Sequence, residues 1–404
     1  MSSPFLADFA NGLASYNGLG DKGAPKLGGK LRQYRIAFVV GTRPEAIKLA
    51  PVAHAFAALG EPPCLFVTGQ HPGLELGDHG LETFAATPLD CPGQPDPILH
   101  AEQVRAALRR LLPLDVPDLL LVQGDTSSAL GGALAAREIG IALAHVESGL
   151  RTYDPNMPWP EEENRVAIDG MSDLLFAPTS GNAANLRRDR VTGEIRVTGN
   201  SGIDALAELV GPLPLRQRQS WWPKRSFTLL VTCHRRENWG AGLDHLATAI
   251  LELAAQKVSS IIVLPPNPKV TERLTGLLHG NDRVRLTPPL SHAAMIEAMR
   301  GVDLVLSDSG GIQEEAPALA VPLLVLRDKT ERPEGLATGS MELVGTDPRK
   351  IVRAVLRLKR DRAALRAMGR PRLPFGDGQA ASRIARHCLR FLAEQQEVEE
   401  SRTA

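Results

Sequence analysis

Cysteine is scarce in this chain of 404 residues, with four, Cys64, Cys91, Cys233 and Cys388, set far apart. None forms a CxxC pair, so neither a structural zinc site nor a disulfide framework is expected, and the thiols read as reduced. Excess charge is also missing, because 46 Lys plus Arg are matched by 46 Asp plus Glu. A general nucleic-acid binder needs surplus cations over one face, so this balance argues against that class while leaving local basic pockets open. No apolar run approaches the roughly 20 residues that span a bilayer, and the first residues lack the basic-then-apolar order of a signal peptide. The expectation is a cytoplasmic protein with no metal, no nucleic acid and no membrane contact.

What is present is ordinary for a globular protein of two or three domains: 43% apolar residues, 23% charged, 37 Gly and 31 Pro. Residues 1–34 contain no strand-like run and read as a flexible extension. Gly18, Gly20 and Gly23 there spell GxGxxG, but that fingerprint has physical sense only between a strand and a helix N-terminus, and neither is expected at this place. From residue 35 onward, short apolar runs alternate with segments of helical spacing. Runs at 35–40, 64–68, 119–123, 141–146 and 174–177 read as buried parallel strands, and a second series at 228–231, 261–264, 284–286, 304–306 and 323–326 follows a Gly-Asn-Ser-Gly junction at 199–202. Two doubly wound α/β sheets are expected, facing each other across a cleft. Ligands in such sheets bind at the carboxyl ends of the strands, so the following loops are where chemistry is sought.

The first strand runs into GTRPEAIK at 41–48. Thr42 and Glu45 fit a capping box and Pro44 suits a first helical turn, whereas Arg43 and Lys48 beside a helix N-terminus suit an anion such as phosphate or, more simply, a solvated basic helix start. After the third strand, Asp125 in GDTSS fits an N-cap, and also a carboxylate placed to orient a hydroxyl or handle a proton. Glu147 comes directly out of a buried strand, an awkward place for a charge unless it is paired or used. Glu161 and Arg165 stand four apart on an expected helix, which fits a surface ion pair or a cleft carboxylate steadied by an arginine.

In the second half, His234 follows a strand beside Arg235 and Arg236, an anion-facing setting with no other His or Cys to suggest a metal. At 307–315 the chain leaves a strand through Ser309, Gly310 and Gly311 into a helix, where a phosphate can approach free backbone N–H groups. Glu315, one turn on, suits ribose hydroxyls, and Arg327, Lys329 and Arg332 add cations. A diphosphate is the simplest ligand for these sites.

GTRPEAIK at 41–48, GDT at 124–126, HVESGLRT at 145–152, PWPEEENR at 158–165, HRREN at 234–238, DSGGIQEE at 308–315 and TERPE at 330–334 carry a resemblance. From about residue 35 to residue 390 the chain resembles the non-hydrolysing UDP-N-acetylglucosamine 2-epimerase family. The resemblance implies a glycosyltransferase-B-like fold with two Rossmann-like domains, 35–199 and 200–378, and a last helix at 379–398 that crosses back to the first. It implies a homodimer without cofactor that interconverts UDP-GlcNAc and UDP-ManNAc for surface polysaccharide synthesis, through UDP elimination, a bound 2-acetamidoglucal and readdition. It assigns acid/base work to Asp125, Glu147 and Glu161, and gives His234 a place in catalysis and at UDP. Arg43, Lys48, Arg165, Met295, Ser309, Gly310, Gly311, Glu315 and Arg332 become substrate-binding residues, with Glu315 at the ribose. A Glu161 near a helix N-terminus is pulled toward a low pKa, so local desolvation must oppose that for proton transfer. Related readings are a 2-epimerase of a modified UDP-sugar such as a diacetamido-uronate, a hydrolysing 2-epimerase that releases free ManNAc, a UDP-sugar glycosyltransferase, and a binding module without turnover.

Two departures from the family pattern stand out. Met295 occupies a place where many bacterial members carry an aromatic residue near uracil, and it stacks less specifically. Bacterial members also bind a second UDP-GlcNAc as activator, partly through QHRxMLDQ and a histidine before an Asn-Pro pair; here Gln70 and His71 are followed by Pro72-Gly73-Leu74-Glu75, and 264–268 has no histidine. Initial rates are therefore expected to depend hyperbolically on UDP-GlcNAc, and UDP-ManNAc is expected to react without added UDP-GlcNAc. A sigmoidal curve in steady-state assays contradicts this.

Overall fold

The computed structural model describes residues 35–210, 226–233, 235 and 238–403; the expected N-terminal extension with its GxGxxG, and His234, lie outside the described residues. The chain forms two compact units, one that reaches to Ala207 and resumes at Phe375, and one that comprises Glu208–Pro374.

In the first unit the order is β1 (Ile36–Val40), α1 (Arg43–Ala58), β2 (Cys64–Val67), β3 (Ala86–Pro88), α2 (Pro97–Leu111), β4 (Leu119–Gln123), α3 (Ser127–Ile139), β5 (Ala142–Val146), α4 (Glu161–Met171), β6 (Leu174–Ala177), α5 (Ser180–Arg188), β7 (Glu194–Val197) and α6 (Ser201–Val210). Its sheet is parallel with order β3-β2-β1-β4-β5-β6-β7. That order reverses direction between β1 and β4, the doubly wound pattern that opens a crevice at the strands' carboxyl ends. β1 shows why such strands read as unbroken apolar runs. Ile36, Phe38 and Val40 pack into one cluster with α1, while Ala37 and Val39 pack into another with α2 and α3, so both faces are dry. Gly131 lets α3 lie against α2, since a Cβ there would stand 2.5 Å from the Ala101 carbonyl oxygen.

The second unit runs β8 (Phe227–Thr232), α7 (Ala241–Ala255), β9 (Val258–Val263), α8 (Pro268–Leu278), β10 (Val284–Thr287), α9 (His292–Gly301), β11 (Leu304–Ser307), α10 (Gly310–Ala318), β12 (Leu323–Val325), α11 (Pro333–Ala337), β13 (Met341–Leu343), α12 (Pro348–Arg360) and α13 (Arg362–Met368). Its parallel sheet has order β10-β9-β8-β11-β12-β13. The ten expected strands all form, within a few residues of their expected ends. Three further strands, β3, β7 and β13, sit at sheet edges, where no residue of β3 or β7 is buried and the sequence carries no continuous apolar run; Pro88 ends an edge strand because it has no N–H to donate.

The last helix, α14 (Ala380–Thr403), runs beyond the expected 398 and packs on α1. Ala381, Ile384, Ala385, Cys388 and Leu392 recur at helical spacing and join the cluster of Leu49, Ala53 and Phe56. Its free N-terminal amides are met from far away in sequence: Asp204 accepts from Ala380 N at 3.2 Å and Ala381 N at 2.9 Å. Ile384 is fully buried in this seam, so Ile384→Ala is expected to lower stability by about 2–4 kcal/mol, read as a drop in the urea midpoint at unchanged slope.

Candidate active site

The loops after β1, β4 and β5 bring a set of charged side chains together in the first unit. Glu147, the first residue past β5, has φ +69, a left-handed conformation that a glutamate adopts only where its surroundings hold it there. Its buried carboxylate accepts from Lys48 Nζ at 2.6 Å, from Asn200 Nδ2 at 3.3 Å and from Gln123 Nε2. Lys48, expected at a phosphate, is thus an ion-pair partner of a carboxylate, and both side chains are nearly dry. The carboxylate lies over Gly124, whose Cβ position would be 3.7 Å from Glu147 Oε2.

Asp125 does not cap α3. Thr126 does, accepting from Ala129 N at 3.0 Å, because a hydroxyl one residue closer to the helix reaches its amide. Asp125 instead meets Arg165 Nη2 at 2.8 Å, while Asn164 Nδ2 donates to the Asp125 carbonyl oxygen at 2.9 Å. α4 therefore holds both the side chain and the backbone of Asp125. Arg165 contacts Glu161 through its backbone, Nε donating to the carbonyl oxygen at 3.2 Å, and pairs with Glu162 at 3.2 Å. The expected side-chain pairing of Glu161 with Arg165 is in this way replaced by a bridge from Asp125 to Glu162. Glu162 itself accepts from the amides of Thr152 and Tyr153 and so shapes the loop before α4.

Under these carboxylates lies a buried chain of polar groups. His145 Nδ1 is 2.7 Å from Asp169 Oδ1, and Arg151 Nη1 is 2.7 Å from Asp169 Oδ2. On the other side of the ring, His145 Nε2 is 2.7 Å from the Gly124 carbonyl oxygen. Glu45 closes the loop after β1: it accepts from the amides of Gly41 at 2.7 Å and Thr42 at 2.6 Å, and from Thr126 Oγ1 at 2.5 Å. The expected capping box is present, yet Glu45 also ties that loop to the Asp125 loop. Burial pushes its carboxyl up from 4.5 to about 7, more than its hydrogen bonds lower it. Arg43 is half-buried, its amide 3.5 Å from His71 Nδ1; burial and then the Arg43 charge hold that imidazole below its usual range. Gln70 Oε1 accepts from Ser128 Oγ at 2.7 Å, so Gln70 and His71 both buttress this loop cluster.

In the second unit Ser309 caps α10, accepting from Ile312 N. A Cβ on Gly310 would stand 2.9 Å from the Arg332 guanidinium, whereas one on Gly311 would meet no atom of the described residues closer than 4.0 Å. Arg332 is buried between Glu314, at 2.6 Å, and Glu331. Asp308 accepts from Arg235 N and Asn238 Nδ2, both at 2.9 Å, which fastens the HRREN segment to the DSGG loop. Glu315 meets His292 Nε2 at 2.7 Å, and Met295 stands three residues after His292 on α9, on the same helix face. Sequence reasoning gave Glu45 a capping role alone and passed over Gln123, His145, Asp169, Asn200 and His292. Buried polar residues at strand ends, as at 123 and 145, were the available signal. Among the described residues no group of three His, Cys, Asp or Glu is arranged to hold a metal ion, and the four cysteines are free thiols.

With this geometry in place, the comparisons are informative. The family model for UDP-N-acetylglucosamine 2-epimerase matches residues 61–389. The UDP-N-acetylglucosamine 2-epimerase of Yersinia pestis is 41% identical over 369 residues, 87% of this chain and 97% of that protein. The crystal structure of UDP-GlcNAc 2-epimerase from Neisseria meningitidis bound to UDP-GlcNAc is similar with a TM-score of 0.81 and 34% identity, covering 88% of this chain and 100% of that one. For the Methanocaldococcus jannaschii UDP-GlcNAc 2-epimerase in complex with UDP-GlcNAc and UDP, the TM-score is 0.74 and the identity 29%, covering 88% and 99%. The fold is the expected glycosyltransferase-B-like one, with parallel sheets of seven and six strands.

The raised pKa of Glu45 has a signed consequence. A carboxyl whose folded value of about 7 lies above the unfolded 4.5 binds its proton more tightly when folded. Its contribution to stability is complete below the unfolded pKa and is lost as pH rises through the folded one. Thermal melts of the wild type are expected to lose ground against Glu45→Gln across that window; parallel curves would show that Glu45 does not titrate there.

Proposed function

The chain belongs to the UDP-N-acetylglucosamine 2-epimerase family, and we propose that it interconverts UDP-GlcNAc and UDP-ManNAc by elimination and readdition of UDP. The observation that carries this reading is the pair of carboxylates on adjacent loops. Glu147 is buried against Lys48, Gln123 and Asn200 with its Oε2 over Gly124, and Asp125 is the next residue, braced by Arg165. Epimerisation at C2 needs a proton removed from one face and returned to the other, and one group cannot serve both faces of a bound sugar.

In the forward half-reaction a carboxylate takes the C2 proton, the C1–O bond to UDP breaks, and its electrons leave with the diphosphate as a C1–C2 double bond forms. In the return, UDP oxygen bonds again to C1 while C2 receives a proton on the opposite face. No net oxidation occurs and no cofactor is called for. The C2 proton is only weakly acidic, so stabilising the departing diphosphate must drive the step. The α10 N-terminus, capped by Ser309 and with no described atom closer than 4.0 Å to a Cβ position at Gly311, supports a role for the second unit in holding phosphate, with Glu315 at the ribose and Met295 against the base. Asp125, Glu147 and Glu161 are the acid/base candidates, and His234, Arg43 and Arg332 complete the proposed set. Lys48, Gln123 and Asn200 hold the Glu147 carboxylate in place by charge-assisted and amide hydrogen bonds. On the same family grounds we propose two domains, 35–199 with 379–398 and 200–378, working in a cytoplasmic homodimer that feeds surface polysaccharide synthesis.

Incubation with UDP-GlcNAc in D2O, followed by proton NMR, is expected to yield UDP-ManNAc with deuterium at C2. Free ManNAc plus UDP points to hydrolysis, and no exchange removes the epimerase reading. Glu147→Gln and Asp125→Asn are each expected to lower turnover by about 10³-fold while UDP still binds; near-normal rates would take them out of the mechanism.

A further inference from the structure

His145 lies on β5, two residues before Glu147, and its side chain is wholly buried. Each ring nitrogen is 2.7 Å from an oxygen: Nδ1 from Asp169 Oδ1, Nε2 from the Gly124 carbonyl oxygen. The carbonyl can only accept. Asp169 is itself surrounded by donors, with Arg151 Nη1 at 2.7 Å and the Gly149 amide at 3.1 Å on its other oxygen. A neutral imidazole has one N–H, so its remaining lone pair would face an oxygen at 2.7 Å. With both of these oxygens acting as acceptors, only a ring with protons on both nitrogens satisfies both contacts.

The place of the Gly124 carbonyl gives this arrangement its meaning. Gly124, at φ +68, is held by β5 on both sides: its N–H donates to the Val146 carbonyl oxygen at 3.0 Å and its own carbonyl meets His145. The residue that follows is Asp125, and Glu147 Oε2 lies over Gly124 itself. We propose that His145 is a doubly protonated positioning residue that pins the Gly124 peptide and so sets the spacing of the Asp125 and Glu147 carboxylates. Its catalytic meaning rests on the 2-epimerase reading above. The ring touches neither substrate nor reacting atoms; it acts through the backbone between them. A histidine serving only to fill the core would need one donor and would leave turnover alone.

Two measurements test this. In full-length protein labelled with ¹⁵N-histidine, two-bond ¹H–¹⁵N correlations at neutral pH are expected to show both His145 nitrogens protonated; one bare ring nitrogen would overturn the proposal, whatever the fate of any variant. His145→Gln supplies a single amide and cannot reach both oxygens. It is expected to lower kcat by about 100-fold, with KM and UDP affinity within a few-fold of wild type and the thermal melt retained. Unchanged kcat in an active enzyme would overturn the positioning role alone. A wild type inert toward UDP-GlcNAc would overturn the epimerase reading and the positioning role together.

Discussion

The buried ion pair between Lys48 and Glu147 is the interaction on which the first unit's site depends. Taking both charges out of water is expensive, and their attraction at 2.6 Å, together with hydrogen bonds from Gln123 and Asn200, offsets that cost. Those partners come from α1, the end of β4 and the junction before α6, so the pair draws three distant segments onto one carboxylate. The positive φ of Glu147 is consistent with that constraint, since the backbone there is held by its contacts and not by its own preference.

Around the pair, the protein supports the Asp125 and Glu147 carboxylates from beneath. Asp125 is gripped by Asn164 and Arg165 of α4, the Gly124 peptide by His145, and the loop after β1 by Glu45 through Thr126. Several of these supports are polar groups in dry surroundings, which are tolerated where each donor meets an acceptor. The second unit follows a different principle. Arg327 is engaged by Glu331, and Arg332 by Glu314 and Glu331, while among the described residues no atom stands closer than 4.0 Å to a Cβ position at Gly311, at the start of α10. Backbone amides with a helix dipole attract an anion without the desolvation cost of a free cation. The even charge balance of the chain is consistent with this local pairing.

Much of the fold was legible because its signals are local. An apolar run of strand length, a Thr one residue before a helix, and a Pro in its first turn act over a few residues, and they located ten strands and the cap at Thr42. The strands β3, β7 and β13 escaped notice because they are short and at most partly buried, so they carry no apolar run. The site was legible to a lesser degree. Its motifs stood out, but partners did not: Arg165 was matched with Glu161 four residues away and bridges Asp125 to Glu162, and Asp125 was read as a cap that belongs to Thr126.

By itself, the amino-acid order determined the α/β class, the two parallel sheets and the loops that carry charge, because those follow from hydrophobic period and from which residues can start a helix. Only the tertiary structure decided that Lys48 meets Glu147 across 99 positions, that Asp204 caps α14 across 176, and that His145 faces two oxygens at once. Such pairings are set by where strands and helices come to lie once the core closes, and a charge in sequence carries no mark of the partner that packing will bring to it.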